Sequence, residues 1–326
     1  MPEQELYRDQ EFSRTLMRKM MVVNKFEETA FWLFGQGLVH GTMHLGIGEE
    51  ATGVGTTAAL KKNDYMLATH RGHGQAIGKG VDINSMMAEI LGRETGTNHG
   101  KGGSMHICDY DNGILGANGI VGANGPIACG AGLTIKMKKI PDRVCACFLG
   151  DGASNEGAIH ESMNLAATWK LPVLFILVNN TYGMSTPLSR VVNDTDLTKR
   201  AIPYGMKSLE CDGNDVIAVY ETVSEARKYA VEGNGPVLVV EHTYRTSGHS
   251  KSDGNQYRTK EEIQYWKERS PILRFRKRLT EAGVFTDAQI DEIQAQADEI
   301  VEKAVAYAKA QPQPKVQDLE ADVYAE

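Results

Sequence analysis

Asp151 stands between two glycines (Gly150-Asp151-Gly152), and the pair Asn179-Asn180 follows after 26 intervening residues. Each of these polar motifs comes directly after an apolar run, residues 144–149 (VCACFL) and 172–178 (PVLFILV), that reads as a buried strand. The intervening length holds a crossover helix and the second strand. A right-handed βαβ crossover brings the C-terminal ends of two parallel strands to one edge of a sheet, the edge where open α/β sheets bind ligands. The Asp151 carboxylate and the Asn180 amide oxygen are therefore expected at one place. One carboxylate among neutral oxygens suits a hard divalent cation that also takes oxygens from a phosphate, as Mg²⁺ does. The glycines let backbone N–H groups approach that phosphate, and the helix predicted over 155–169 offers its N-terminus to it. A bare GDG reads as a tight turn with Asp151 as a helix cap; GDG followed by NN at this spacing reads as a site.

The elements that must position these groups follow from periodicity. Leu16, Met20, Val23, Phe26, Ala30 and Leu33 recur at helical spacing and predict one long helix. Helices are expected over 49–60, 84–91 and 126–138, the last rich in small residues and suited to close packing, either on the sheet or on a partner. Strands are expected at 65–69, 144–149, 172–178, 207–210 and 237–241, with a helix over 216–231. Such alternation predicts an α/β fold with helices on both faces of a mostly parallel sheet. A polar loop over 246–258, expected to be mobile until a cofactor orders it, leads into a tail that reads as helical from 260 to about 310. Of the 34 glycines, 12 fall within residues 92–132. That stretch also carries His99, Lys101, Met105, His106, Ile114 and Val121, so it reads as loops wrapped around something rather than as a flexible linker.

Composition narrows the function. With 35 basic and 42 acidic residues the net charge is −7, and the pI is near 5.8, which argues against nucleic acid as a partner. The longest apolar run, residues 171–178, is too short to span a membrane, and the polar N-terminal residues show no signal-peptide core. Five cysteines without a CxxC pair suit thiols in a reducing compartment, so a cytoplasmic location is expected. No G-x-G-x-x-G, G-x-x-x-x-G-K-[ST], G-x-S-x-G or H-E-x-x-H occurs. The alternatives from other classes are a Mg²⁺-dependent phosphohydrolase, which usually gathers several carboxylates, and a non-catalytic scaffold chain.

The GDG-x26-NN pattern resembles the thiamine diphosphate signature. The neighbouring segments resemble the α subunit of E1 components in the 2-oxo acid and acetoin dehydrogenase complexes. They are HLGIGEEATGVG from His44, THRGHG from Thr69, GKGGSMH from Gly100, GANGIVGANGPIACGAGL from Gly116, the long run from Gly150 to Thr186, and TYRTSGHSKSD from Thr243. The resemblance implies a three-layer thiamine diphosphate-binding fold, with a helical segment at 1–40, the diphosphate and Mg²⁺ domain at 41–258, and a C-terminal helical extension at 259–326 packed on it. It also implies that Asp151, Asn180 and the carbonyl of Tyr182 hold Mg²⁺, and that His70, Arg71, Gly152 and Ala153 meet the diphosphate. The backbone of Gly119 and Val121 would meet the aminopyrimidine. His44, His73 and His249 would sit at the mouth of the site as catalytic residues, His249 on the closing loop and also against the cofactor. His70 stands where many pyruvate-type members have Tyr, and the HRGHG form looks more like acetoin-type members.

The resemblance further implies acetoin, pyruvate or a branched-chain 2-oxo acid as substrate, with acetoin favoured, and the lipoyl group of an E2 protein as acceptor. It implies a β subunit in an α2β2 assembly, which supplies the carboxylate that activates the cofactor. Glu49 and Glu50 accordingly read as residues at a helix N-terminus, where the dipole favours them. Ser250 and Ser252 read as plain loop polarity, and His160 and His242 as ordinary helix and strand residues.

Overall fold

The computed structural model describes residues 6–321 and 323. Along the chain, α1 (Gln10–Gly35) and α2 (Glu50–Ala59) precede β1 (Tyr65–Thr69), and α3 (His73–Lys79) and α4 (Ile83–Ile90) lead to β2 (Ile114–Asn118) and α5 (Asn124–Met137). Then β3 (Cys145–Gly150), α6 (Gly157–Thr168) and β4 (Val173–Asn179) form the expected crossover. A small hairpin of β5 (Tyr182–Gly183) and β6 (Thr186–Pro187) comes before β7 (Lys207–Asp212), α7 (Val216–Val231) and β8 (Val237–His242). Three helices, α8 (Lys260–Lys267), α9 (Pro271–Glu281) and α10 (Asp287–Ala310), complete the described chain.

The main sheet runs in the order β2-β1-β3-β4-β8-β7, and every neighbouring pair is parallel. Its central strands are buried on both faces, which is why they read as unbroken apolar runs. In β3, Ala146 and Phe148 join the core beneath α1, α2, α7 and α10, while Cys145, Cys147 and Leu149 face the core beneath α5 and α6. In β4, Leu174 and Ile176 take the first face, and Val173, Phe175 and Leu177 the second. The first core runs without a break from Leu16 in α1 to Ala308 in α10. Among the described residues no helix is long and apolar enough to cross a membrane. All five cysteines are free, Cys108 and Cys211 only half-buried.

Several elements differ from the sequence expectation. β2 lies inside the glycine-rich stretch, where Gly116 interrupts the apolar pattern, and as an edge strand of the main sheet it pairs with β1, apart from a single antiparallel bridge between Ile114 and Asp109. The tail is helical as expected and is divided into three helices. Pro271 opens α9 because it has no N–H to continue α8, and Gly283, at φ +67°, takes the left-handed turn before α10. The small-residue helix α5 packs inward through Ala128, Cys129, Gly132 and Ile135, yet Ile127 and Gly130 remain exposed. The glycine cluster, in part, wraps around a side chain of the protein itself. Glu89 in α4 is fully buried and accepts backbone N–H bonds from Asn98, Gly100, Gly102 and Gly103 at 2.7–2.9 Å. A Cβ at Gly96 would lie 2.4 Å from its Oε2, so that position admits only glycine.

A second buried acid, Glu241 in β8, is treated differently. Among the described residues it accepts one bond, from Thr56 Oγ1 of α2, and its other oxygen has no partner. Burial pushes its pKa from 4.5 to about 8, so it is neutral in the folded chain at neutral pH. A carboxyl with a raised folded pKa favours the folded state at low pH, and that contribution is lost as pH rises from about 4.5 through about 8. Glu241→Gln, which is neutral at every pH, should therefore gain stability relative to the parent chain across that window. Urea denaturation of both chains at several pH values checks this; a difference independent of pH would refute it.

Candidate active site

β1 continues into β2 on one side of it, and β3 into β4 on the other, so the strand order reverses between β1 and β3. The C-terminal ends that flank this switch point carry Thr69-His70-Arg71 and Gly150-Asp151-Gly152, and the end of β4 adds Asn179-Asn180. A cavity of 410 Å³ opens there. Of the expected site residues, His70, Arg71, Val121, Asp151, Gly152, Ala153, Asn180, Tyr182 and His249 line it. Gly119 lies just outside the lining, beside the ring of His106. Ile120, Val121, Met184 and Val191 form an exposed apolar rim.

Asp151 is only 3% exposed, and among the described residues its Oδ2 has no hydrogen-bond partner. Burial raises its carboxyl to about 6, partly offset by the Gly152 N–H and reinforced by the carboxylate of Glu49. Asn180 turns its amide nitrogen to Glu49 Oε1 at 2.8 Å. Its Oδ1 is left with one long bond, 3.4 Å, from the Tyr182 N–H. Two oxygens short of donors, one of them anionic, belong to residues that line one cavity at the end of a sheet. Buried acceptors in such a state call for a cation, so the donor set fits a hard metal ion.

Arg71 supplies the positive charge. Its Nη1 donates to Leu45 O, its Nη2 to His249 O at 3.3 Å, and its Nε stands 4.0 Å from Glu49. Burial lowers its pKa to about 10, which leaves it protonated at neutral pH. Deeper still, Arg245 is fully buried, with Nη2 donating to Met184 O and the Tyr257 hydroxyl, while its Nε and Nη1 have no partner. His249 hangs from a loop that is tied to itself: Asp253 accepts from the His249 N–H and the Tyr257 hydroxyl, both at 2.7 Å. Ser250 and Ser252 bond to each other at 3.2 Å on its surface. His44 Nδ1 lies 2.7 Å from His249 O, and the rings of His44, His70 and His249 cluster within 6 Å of one another, with centroids 4.6, 4.7 and 5.9 Å apart. Burial lowers the pKa of His44, takes that of His70 to about 3 and that of His249 to about 4, so all three are neutral at pH 7.

His73 is a correction. It is not at the mouth but fully buried, with Nδ1 3.0 Å from Glu27 Oε2 of α1 and Nε2 2.9 Å from Ser104 Oγ. Glu27 Oε1 also accepts from the Gly46 N–H, so the relay clamps α1, the segment before α2 and the glycine-rich loop together behind Arg71. Glu49 is the residue the sequence reading missed. It occupies the N-cap position of α2 as expected, but makes no side-chain cap bond and turns into the cavity instead. His160 bonds to the Tyr204 hydroxyl and Arg200, and His242 to Glu210; neither lines the cavity.

The family described as Dehydrogenase E1 component matches residues 18–317. The chain belongs to that family. It is 44% identical to the α subunit of an acetoin:2,6-dichlorophenolindophenol oxidoreductase from Bacillus subtilis, over 95% of this chain and 92% of the relative. The protein of the same name from Cupriavidus necator is 42% identical, over 97% and 95%. The α subunit of the pyruvate dehydrogenase E1 component of Rhizobium meliloti is 39% identical, over 94% and 88%. The buried Glu27–His73–Ser104 relay does not line the cavity but packs behind the segments that do. Glu27→Ala strands the Gly46 N–H and the His73 ring nitrogen at once, and should lower stability by about 3 kcal/mol. Glu27→Gln should lose less, since its amide oxygen can still serve Gly46. Urea denaturation decides, and equal stability of all three chains would refute the relay.

Proposed function

We propose that this chain is the α subunit of a thiamine diphosphate-dependent E1 enzyme that acts on acetoin. The observation that carries the reading is the unpartnered Asp151 oxygen, set beside Asn180 and the buried Arg71 at the switch point of a parallel sheet. Asp151 Oδ2, Asn180 Oδ1 and the Tyr182 carbonyl would hold Mg²⁺. Arg71 would pair with the diphosphate through charge-assisted hydrogen bonds, helped by the N–H groups of Gly152 and Ala153, with His70 beside them. Val121 and Gly119 would lie along the aminopyrimidine. When bound, thiamine diphosphate supplies a nucleophilic carbon that cleaves the bond next to a carbonyl.

The chain's own residues would then orient, shield and handle protons. His44 donates its Nδ1 proton to His249 O, so its Nε2 is free to accept a proton at the mouth. His249, held neutral with its pKa at about 4, would offer a ring nitrogen from the loop as a hydrogen-bond partner. His73, buried and bonded at both nitrogens, acts instead as a positioning residue. The lipoyl group of an E2 protein is the proposed acceptor. The rim formed by Ile120, Val121 and Met184 leaves one side of the cavity uncovered by this chain, which supports a β subunit closing it in an α2β2 assembly and bringing the activating carboxylate. Glu49 is engaged with Asn180 and Arg71 at the metal end and does not replace that carboxylate. The free cysteines suit a cytoplasmic enzyme.

Acetoin is preferred because the two relatives quoted above at 44% and 42% identity bear that substrate in their names, and because His70 replaces the tyrosine of many pyruvate-type members. Pyruvate is the second reading, supported by the Rhizobium meliloti relative. The test is reconstitution with a cognate β chain, following reduction of an artificial electron acceptor with acetoin or pyruvate as substrate. Turnover should require both chains and be at least about tenfold higher per KM with acetoin, a difference of about 1.4 kcal/mol. Turnover by this chain alone, or a preference for pyruvate, would contradict the proposal.

A further inference from the structure

The backbone on either side of Tyr182, whose carbonyl is proposed above to meet the cation, is bent against preference. Thr181 sits at φ +73° and Met184 at φ +56°, both in the left-handed region. For the β-branched Thr181 this is a strained conformation, kept only where the surroundings over-determine it. The hairpin of β5 and β6 gives little help, since each strand is two residues long. Side chains from other elements hold the segment instead. Arg245 Nη2 donates to Met184 O at 3.1 Å, and the Tyr182 hydroxyl donates to Glu262 of α8, 3.0 Å from Oε1 and 3.2 Å from Oε2. The segment also touches the GDG turn, because a Cβ on Gly183 would lie 3.3 Å from the Gly152 Cα. A shift of the hairpin is therefore felt at the diphosphate end of the cavity.

Glu262 is well placed to act as an anchor. It accepts a second hydroxyl, that of Tyr244, at 2.8 Å, and its own N–H is capped by Thr259 Oγ1 at 3.0 Å. The carboxylate thus belongs to the first turn of α8, where the dipole favours it. The helix is fixed in turn by Trp266, whose ring stacks on the buried Tyr244 with centroids 5.1 Å apart. Burial and the Glu262 carboxylate raise the pKa of both phenols, so they remain protonated donors. We propose that Glu262 is a positioning residue of the Mg²⁺ site: through the Tyr182 phenol it fixes the strained segment that carries the carbonyl ligand. The inference rests on the cation reading given above, and it adds to that site a residue 80 positions further along the chain.

Two measurements test it. Amide hydrogen exchange of the full chain without cofactor should quicken about tenfold over residues 180–187 in Glu262→Ala and in Tyr182→Phe, and stay unchanged in β3 and β4. Glu262→Gln, whose amide oxygen still accepts from both hydroxyls, should stay within about twofold of the parent. In the α–β assembly at saturating thiamine diphosphate, Mg²⁺ affinity should fall about tenfold in Glu262→Ala and in Tyr182→Phe, and no further in the double variant. Parent-like exchange over 180–187 in Glu262→Ala would overturn the proposal. So would exchange quickened across the whole sheet, or losses that add in the double variant. Parent-like Mg²⁺ affinity in Glu262→Ala beside a loss in Asp151→Ala would sink this proposal alone. Parent-like affinity in Asp151→Ala would sink the cation reading and this proposal with it.

Discussion

A carboxylate oxygen buried at the end of a strand, with no donor among the described residues, is the constraint around which the rest of the site is arranged. Leaving such a group unpaired costs about 1–3 kcal/mol, more when it is charged. Asp151 Oδ2 is in that state, and around it the fold withholds every cheap remedy. The Asn180 amide nitrogen, an obvious donor, is turned away and spent on Glu49. Arg71 is held by two backbone carbonyls and by proximity to Glu49, not by Asp151. The arrangement keeps one anionic oxygen and one amide oxygen open for a ligand from outside.

The rest of the structure follows from delivering that oxygen to that place. Parallel strands end together, and the reversal of strand order between β1 and β3 opens the crevice into which Asp151 and Arg71 both project. Glu49 acts as a hub, linking the N-terminus of α2 to Asn180 and Arg71. Behind it the Glu27–His73–Ser104 relay fixes the walls, and in front the histidines lie where burial and the Arg71 cation keep them uncharged. Positive charge is thus concentrated on arginines that suit a diphosphate, and the rings stay neutral hydrogen-bonding groups at neutral pH.

Much of this was legible in the sequence because the informative patterns are local. GDG and NN abut apolar runs, the spacing between them allows one crossover, and the strands are buried on both faces, so position along the chain predicted position in space. Arg71, His70 and His249 sit in short motifs beside strand ends or in the long polar loop, and all three reach the cavity. What was not legible depends on distant partners. Glu49 reads as a helix-end acid until Asn180, 131 positions away, donates its amide N–H to the Glu49 carboxylate. His73 reads as a mouth residue until Glu27, 46 positions upstream on the long helix, draws it inward. β2 was hidden because Gly116 breaks its pattern and only pairing with β1 makes it a strand. The glycine cluster signalled wrapping, but Glu89 at its centre gave no local sign of being the thing wrapped.

The central claim is that Asp151 is a cation ligand at a thiamine diphosphate site. Calorimetric titration of thiamine diphosphate with Mg²⁺ into the α–β assembly, carrying either Asp151 or Asp151→Ala, tests it most directly. The substitution removes no core packing, so circular dichroism and assembly should be unchanged while affinity falls by about 100-fold or more, equivalent to about 2.8 kcal/mol. Wild-type affinity in the Asp151→Ala assembly would contradict the account.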